Sequence, residues 1–355
     1  MLLVIQQFFK RYSMRGTPLI GNEYLFFSKR NLNNVIMSLT RGQSAWALSS
    51  SETQRSAFSS NSSLLKRKDF FNWLVGVVDG DGTFSFHKSK KNVWNFSFQI
   101  SQSSYNLRLL YYIKSNLKVG SITVDEKNMM AVYRIRNKKH IIEHIIPLFD
   151  AYPLITSKYF KYNIFKKALL ISDNPDLSFD KKDKEISKLK DLQHFVPKNY
   201  KSPIWPSTKT LLNSKSDAEK VINKAWLIGF VEAEGSFYIV KKSSKRLVHA
   251  FELTQKLDKH VLHAISLILE IKNGVKRKKT HFTIVTSKNE TVQSIVSYFF
   301  KTMKGMKSLE YRIWARSFNK KHRGFNYLLE IRKKMRNIRA IRFDKSWKEL
   351  NNFKD

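Results

Sequence analysis

One pattern occurs twice in the chain. Residues 73–86 read WLVGVVDGDGTFSF and residues 226–239 read WLIGFVEAEGSFYI. Each is an apolar run that closes on an acid, a small residue, a second acid and glycine, then turns to period-two alternation. The leucine after each tryptophan sets an offset of 153 residues (227 − 74). The same offset joins FQISQ (98–102) to FELTQ (251–255), since 255 − 102 is again 153. Further on, YRIRNKK (133–139) matches FTIVTSK (282–288), and TSKYFKYNIF (156–165) matches GMKSLEYRIW (305–314) at 149 (307 − 158). The order of features is kept while the spacing drifts slightly. This is a tandem duplication with a unit of roughly 100 residues, too long for a stacked solenoid and long enough for a domain. The chain must therefore build two similar halves.

Within each copy the periodicity runs helix, two strands, helix, two strands, helix. In half two, Ser216 and Glu219 have the S-x-x-E spacing of a capping box. The first helix of that half is expected to start there, run through VINKAWLIGFV and end near Glu234 and Gly235. The alternation in TFSFH (83–87) and WNFSFQI (94–100) reads as half-buried strands, apolar on one face and polar on the other. The expected division is a leader at 1–67, half one at 68–172, a linker at 173–215, half two at 216–320 and a basic helical extension at 321–355. The leader is Ser-rich and basic, with Glu23 and Glu52 its only acids. That bias suits a transit peptide, or equally a translated upstream segment in a protein made inside an organelle. Low order is expected there. The linker holds Pro175, Pro197, Pro203 and Pro206, with a short helix expected over 184–194.

Charge narrows the partners. The chain has 65 Lys and Arg against 28 Asp and Glu, a net charge of +37. A fold this basic repels itself, so the excess points to a polyanion, with nucleic acid ahead of an anionic membrane surface. No apolar run approaches the ~20 residues that span a bilayer. With 42% hydrophobic and 13% aromatic residues there is ample material for packed cores. There is no cysteine, which excludes disulfides, Cys-based zinc sites and a cysteine nucleophile.

The sharpest chemistry lies in Asp79-Gly80-Asp81-Gly82 and Glu232-Ala233-Glu234-Gly235. Upstream, small residues recur four apart: Gly76 and Gly80, then Gly229 and Ala233. On helices these share a face and let two backbones approach closely. If the two helices pack together, their terminal acids arrive side by side. Carboxylates at helix C-termini are unfavourable, and a divalent cation offsets that cost with hard oxygen ligands suited to Mg²⁺. Seen once, such a string could simply end a helix before a strand. Duplicated on a very basic chain, two carboxylates with metal make a phosphodiester hydrolysis site.

LVGVVDGDG (74–82) and LIGFVEAEG (227–235) resemble the two motifs of a double-motif LAGLIDADG homing endonuclease, and the likeness covers most of residues 70–320. The resemblance implies an α+β fold of two pseudo-symmetric αββαββα halves with saddle-shaped antiparallel sheets, lying in the DNA major groove. It implies that Asp81 and Glu234 hold the metal, Mg²⁺ or Mn²⁺, with the Gly80 and Ala233 positions alongside. Asp79 and Glu232 would serve the helix ends and the seam. It also implies roles for a polar residue from the second strand of each half, Gln102 and Gln255, and for a lysine before each last helix, Lys158 and Lys307. Expected DNA contacts are His87, Lys88, Asn95 and Ser97 in half one, and Tyr238, Lys241, Lys242, Arg246 and His249 in half two. The runs Lys276, Arg277, Lys278, Lys279 and Arg332–Lys334 would grip phosphates.

The implied activity is site-specific double-strand DNA cleavage by a monomer in intron homing. A group I intron RNA maturase, alone or in addition, is the alternative. The resemblance places the protein in the mitochondrion, or alternatively the chloroplast. One rival string, His140-x-x-Glu143-His144, matches the H-x-x-E-H zinc protease spacing. Its counterpart near Asn289 and Gln293 keeps none of the ligands, and Ile141, Ile142 and Ile145 suit a core-facing stripe.

Overall fold

The computed structural model describes residues 51–193, 195–197, 200–206 and 212–340, with side chains from Lys66 onward. Most of the leader, the chain end after 340 and His194 lie outside the described residues. The chain divides into Met1–Phe58 and Ser59–Asp355, and both sheets belong to the second unit.

Half one runs α1 (Ser51–Asp81), β1 (Gly82–Lys88), β2 (Trp94–Ser103), α2 (Leu107–Leu117), β3 (Ser121–Asp125), β4 (Met130–Ile135), α3 (Ile146–Ala151) and α4 (Lys158–Asp173). After α5 (Phe179–Leu192) and α6 (Lys215–Val221), half two repeats the order. It comprises α7 (Lys224–Glu234), β5 (Ser236–Ser243), β6 (Arg246–Gln255), α8 (Lys259–Ile268), β7 (Lys276–Arg277), β8 (Phe282–Thr286), α9 (Asn289–Tyr298) and α10 (Lys307–Asn319), followed by α11 (Phe325–Ala340). The two antiparallel sheets have the orders β1-β2-β4-β3 and β5-β6-β8-β7. The expected α+β architecture of two αββαββα halves is present.

Alternation sorts each sheet into two faces. Phe84 pairs with Phe98 and Phe86 with Phe96, and all four are buried, as are Ile100, Tyr133 and Ile135 in line with them. The opposite face carries Thr83, Ser85, His87, Asn95, Gln99 and Arg134. In half two, Phe237, Ile239, Phe251 and Leu253 form the buried row. Helices cover the apolar rows, and the opposite face of the first sheet stays polar.

The seam is made by α1 and α7. Phe70, Trp73, Leu74, Val77 and Val78 recur at helical spacing and are all buried, as are Trp226, Leu227, Phe230 and Val231. A β-carbon on Gly76 would sit 2.0 Å from the Trp226 carbonyl oxygen, and one on Gly229 would sit 2.0 Å from that of Trp73. The two contacts are the same contact seen from either side of a pseudo-two-fold axis. Farther along, a β-carbon on Gly80 would meet that of Ala233 at 2.3 Å.

Three local expectations differ from the structure. The first helix of half two is two helices. Ser214 rather than Ser216 caps α6, accepting from the Asp217 amide, Ile222 is extended, and Asn223 opens α7 by accepting from the Trp226 amide. A second good N-cap inside the run stops one helix and starts another. The linker helix starts at Phe179 and belongs to half one. Its Ile186 is fully buried, and Lys190 and Gln193 donate to the Phe86 and Phe84 carbonyls at 2.7 and 2.8 Å. Those carbonyls lie on an edge strand, so α5 covers backbone that would otherwise invite another strand. Similarly in half two, Arg339 of α11 donates to the Phe237 carbonyl at 2.6 Å and pairs with the buried Glu310. Finally, α1 reaches back to Ser51, inside the segment assigned to the leader.

Candidate active site

The seam delivers four acids to one place. Asp79 and Glu232 are buried and tied across the helix pair. The Trp226 indole donates to Asp79 at 2.8 Å and the Trp73 indole donates to Glu232 at 2.6 Å. Each acid also gathers backbone amides that precede a later helix. Asp79 accepts from Ile155 and Thr156 at 2.9 and 3.1 Å, and from the Thr156 hydroxyl at 2.5 Å. Glu232 accepts from Lys304 and Gly305 at 2.7 and 2.6 Å. Burial pushes both carboxyls upward, and these bonds oppose it. A buried carboxylate at a helix C-terminus persists only when its oxygens are satisfied in this way.

Asp81 and Glu234, two residues on, point the other way and are only partly buried. Gln102 donates to Asp81 at 2.5 Å, and Gln255 bonds Glu234. Lys158 donates to the Gly80 carbonyl at 2.7 Å, and Lys307 to the Gly235 carbonyl at 2.5 Å. The Gly80 carbonyl, expected beside the metal, is thus already engaged by an ammonium. Burial raises the Asp81 carboxyl, which Lys158, Gln102 and Lys307 pull back down. Burial and then the charge of Asp81 raise Glu234. Burial lowers Lys158 to about 8, with Asp79, Asp81 and Glu234 holding it up. The structure thus brings Asp81, Glu234, Gln102, Gln255, Lys158 and Lys307, the set that the resemblance implies, into one place.

This donor set suits a hard divalent cation. Two carboxylates of like charge sit close enough for one to raise the other. Among the described residues no group of three or more His, Asp or Glu could hold a metal. Two carboxylates are a donor set of the kind that completes a divalent cation's shell with waters and substrate phosphates. Of the protease-like string, Glu143 and His144 lie within a π-helical stretch, Ile141–Ile145, that follows His140 and whose Ile141 and Ile145 are buried in the core.

The expected DNA contacts divide. His87 and Asn95 face each other, exposed, on the polar side of the first sheet. Lys241, Lys242 and Arg246 are exposed at the β5–β6 hairpin, and Lys276, Arg277, Lys278 and Lys279 are exposed at the β7–β8 hairpin. Lys276 pairs with Thr283, which puts it on the polar face.

Four others are placed differently. Lys88 is held by Asp183 of α5 at 2.8 Å, which removes it from the groove face. Ser97 is buried between its neighbours, and its hydroxyl has no partner among the described residues. Tyr238 donates its hydroxyl to Glu252 at 2.9 Å and lines a cleft with Arg332, Met335 and Arg336 of α11. His249 is only 4% exposed, paired with Ile239 on the apolar row, and bonded to Ser317 at 2.7 Å. One residue unforeseen in the sequence, Arg134, lies on the polar face, its guanidinium donating to Gln99 at 3.0 Å. The alternation of YRIRN would have found it, since Arg134 falls between the buried Tyr133 and Ile135.

Comparison with known proteins agrees with this geometry. A family model described as LAGLIDADG endonuclease matches residues 74–169 and 227–318. The probable intron-encoded endonuclease Cox1-I1b of Schizosaccharomyces pombe is 38% identical over 300 residues, 80% of this chain and 72% of its own length. The uncharacterized mitochondrial protein RF1 of Saccharomyces cerevisiae is 29% identical over 191 residues, 54% of this chain and 36% of its own length. The structure of I-SmaMI bound to uncleaved DNA target in the presence of calcium ions superposes with a TM-score of 0.61 at 23% identity, over 75% of this chain and 97% of that one. At that identity the likeness speaks for the fold. Two matched motifs and a relative of this similarity settle the family: the chain belongs to the LAGLIDADG endonucleases.

Proposed function

We propose that the protein is a site-specific endonuclease that hydrolyses both strands of a DNA duplex, acts as a monomer, and serves intron homing in the mitochondrion. The observation that carries this is the single constellation of Asp81 and Glu234, each with a Gln and a Lys in matched positions. One chain supplies both halves of the site, so no second copy is needed. The mitochondrial placement draws support from the relative described as a mitochondrial protein.

Asp81 and Glu234 would hold Mg²⁺, or Mn²⁺, between the two motif ends. When bound, the cation supplies an acidified water and neutralises charge at the leaving oxygen. The chain's own groups do the rest. Gln102 and Gln255 fix the carboxylate orientations, and Lys158 and Lys307 place positive charge where negative charge develops on phosphate. His87, Asn95, Gln99 and Arg134 are set to read base edges in a groove of roughly 12 Å width.

The test is to incubate the full chain with a randomised duplex library in Mg²⁺, with Ca²⁺ as the binding-only condition. Specific double-strand cuts in Mg²⁺ alone are expected, and they deliver the target site. Asp81→Asn and Glu234→Gln should each lower cleavage by at least about 10³-fold while leaving binding in Ca²⁺ within a few-fold. Retained cleavage in both variants would overturn the assignment.

A second reading, a group I intron RNA maturase role, has one observation in its favour. Cations lie off the sheets, including the exposed Lys333 and Lys334 of α11 and the cleft lined by Arg108, Arg312 and Arg316. Assisted splicing that persists in Asp81→Asn would support it, and absence of intron RNA binding would remove it.

A further inference from the structure

The two lysines are not held by their own halves alone. Each stands at the first position of a helix whose preceding backbone amides need acceptors. In half one, Asp79 takes the amides of Ile155 and Thr156, and the next amide, that of Ser157, is taken by Asp258 of half two at 2.7 Å. In half two, Glu232 takes the amides of Lys304 and Gly305, and the next, that of Met306, is taken by Asn106 of half one at 2.8 Å. The register is the same on both sides. Two consecutive amides go to the half's own acid and the third crosses the seam.

Neither crossing is incidental. Asp258 is 3% exposed and also accepts from the Ser157 hydroxyl at 2.9 Å. Asn106 is 8% exposed, and its side-chain amide donates to Gln102 at 3.0 Å, which in turn donates to Asp81. Gly305 is required for the approach, since a β-carbon there would lie 2.6 Å from the Asn106 oxygen. Sequence numbering had hidden the equivalence. Asn106 follows Gln102 by four residues and Asp258 follows Gln255 by three.

We propose that Asp258 and Asn106 are positioning residues, each fixing the lysine contributed by the opposite half, so that the two strand cuts are set by crossed supports. This rests on the endonuclease reading above. On that reading, the pseudo-two-fold axis that relates Lys158 to Lys307 would also relate the two scissile phosphates. A loosened Lys158 therefore slows one strand, and a loosened Lys307 slows the other. Misplacement by about 1 Å is enough to cost up to 10²-fold at a reacting phosphate.

The experiment uses the full chain and the target duplex recovered from the library, with each strand labelled separately. Asp258→Ala should slow one strand about tenfold or more and leave the other within about twofold. Asn106→Ala should slow the opposite strand more than the first, with the first less fully spared because this change also releases Gln102. Asp258→Asn, which keeps an acceptor for the Ser157 amide, should show a milder bias on the same strand as Asp258→Ala. Binding in Ca²⁺ should be unchanged in all three. Opposite biases support the proposal. Equal slowing of both strands, slowing of the same strand by both alanine variants, or no change overturns it. If Asp258→Ala does not fold, Asp258→Asn and Ser157→Ala carry the same strand comparison. A wild-type chain that binds the duplex but cuts neither strand fails the endonuclease reading itself, and that outcome is distinct from an unbiased cut by the variants.

Discussion

His249 shows how a single residue's fate is decided by parity and burial. It sits between Val248 and Ala250 in a strand that reads as polar-tolerant, yet its partner is Ile239 on the apolar row. Trp314 and Phe318 enclose its ring, and burial, with Arg323 nearby, lowers its pKa to about 4. His260, packed against Trp205, is likewise lowered to about 4 by burial and Lys201. In the unfolded chain these imidazoles take up a proton near pH 6.5, whereas in the folded chain they do so only near 4. Between those values unfolding binds protons, so stability falls as the pH drops through that window. At pH 5 the loss is about 2 kcal/mol for His249 alone. Replacing His249 with Gln, which can still bond Ser317, should narrow the loss of Tm between pH 7 and pH 5 by a few degrees relative to wild type. An unchanged gap would mean the ring is not held neutral. The grouping of Asp81, Glu234, two glutamines and two lysines was legible in the sequence because each member came in duplicate in the same order. His249 and Lys88 were misplaced because one depends on a single-residue parity, and the other on an ion pair from a helix that looked like linker.

At the scale of elements, the fold is set by where two helices can touch. The small residues Gly76, Gly80, Gly229 and Ala233 announced the seam, and the structure puts backbone directly against backbone there. What the sequence hid was its cross-wiring, since Trp73 to Glu232 and Trp226 to Asp79 link residues whose spacing carries no signal. The division of the long helix before the second motif was also unreadable, because Ser214, Ser216 and Asn223 are all competent caps and the structure uses the first and the last. Gly76→Ala must push the Trp226 carbonyl aside, and overpacking of that kind costs about 1–3 kcal/mol or more. Gly324→Ala meets nothing within 4 Å and serves as the control. Calorimetry should find Gly76→Ala melting several degrees lower, and Gly324→Ala near wild type. Because the seam carries Asp81 and Glu234, Gly76→Ala should lose cleavage on both strands together. That equal loss separates a seam defect from the strand-biased loss expected of a cross-seam support.

For the whole molecule, the net charge of +37 matters through where it meets a duplex. The tips of the two long hairpins are cationic in both halves: Lys90 and Lys91 between β1 and β2, Lys241, Lys242 and Arg246 around the β5–β6 turn, all exposed. Inward of the first tip, the polar face carries mostly uncharged side chains, Thr83, Ser85, Asn95 and Gln99 among them. On the proposed function, such a distribution would grip phosphate at the flanks and leave the centre to read bases. Neutralising each phosphate releases counterions, so the logarithm of the binding constant falls with the logarithm of salt by about 0.9 per contact. With about six or more contacts, affinity for the target in Ca²⁺ should drop at least about 10³-fold between roughly 50 and 200 mM salt. Changing Lys90 and Lys91 to Gln should flatten the slope, and changing Lys241 and Lys242 to Gln should flatten it by a similar amount. Equal effects follow from a duplex that spans both sheets, which a site shared between Asp81 and Glu234 demands. If only one pair matters, the duplex rests on one half, and the two carboxylates cannot both face it.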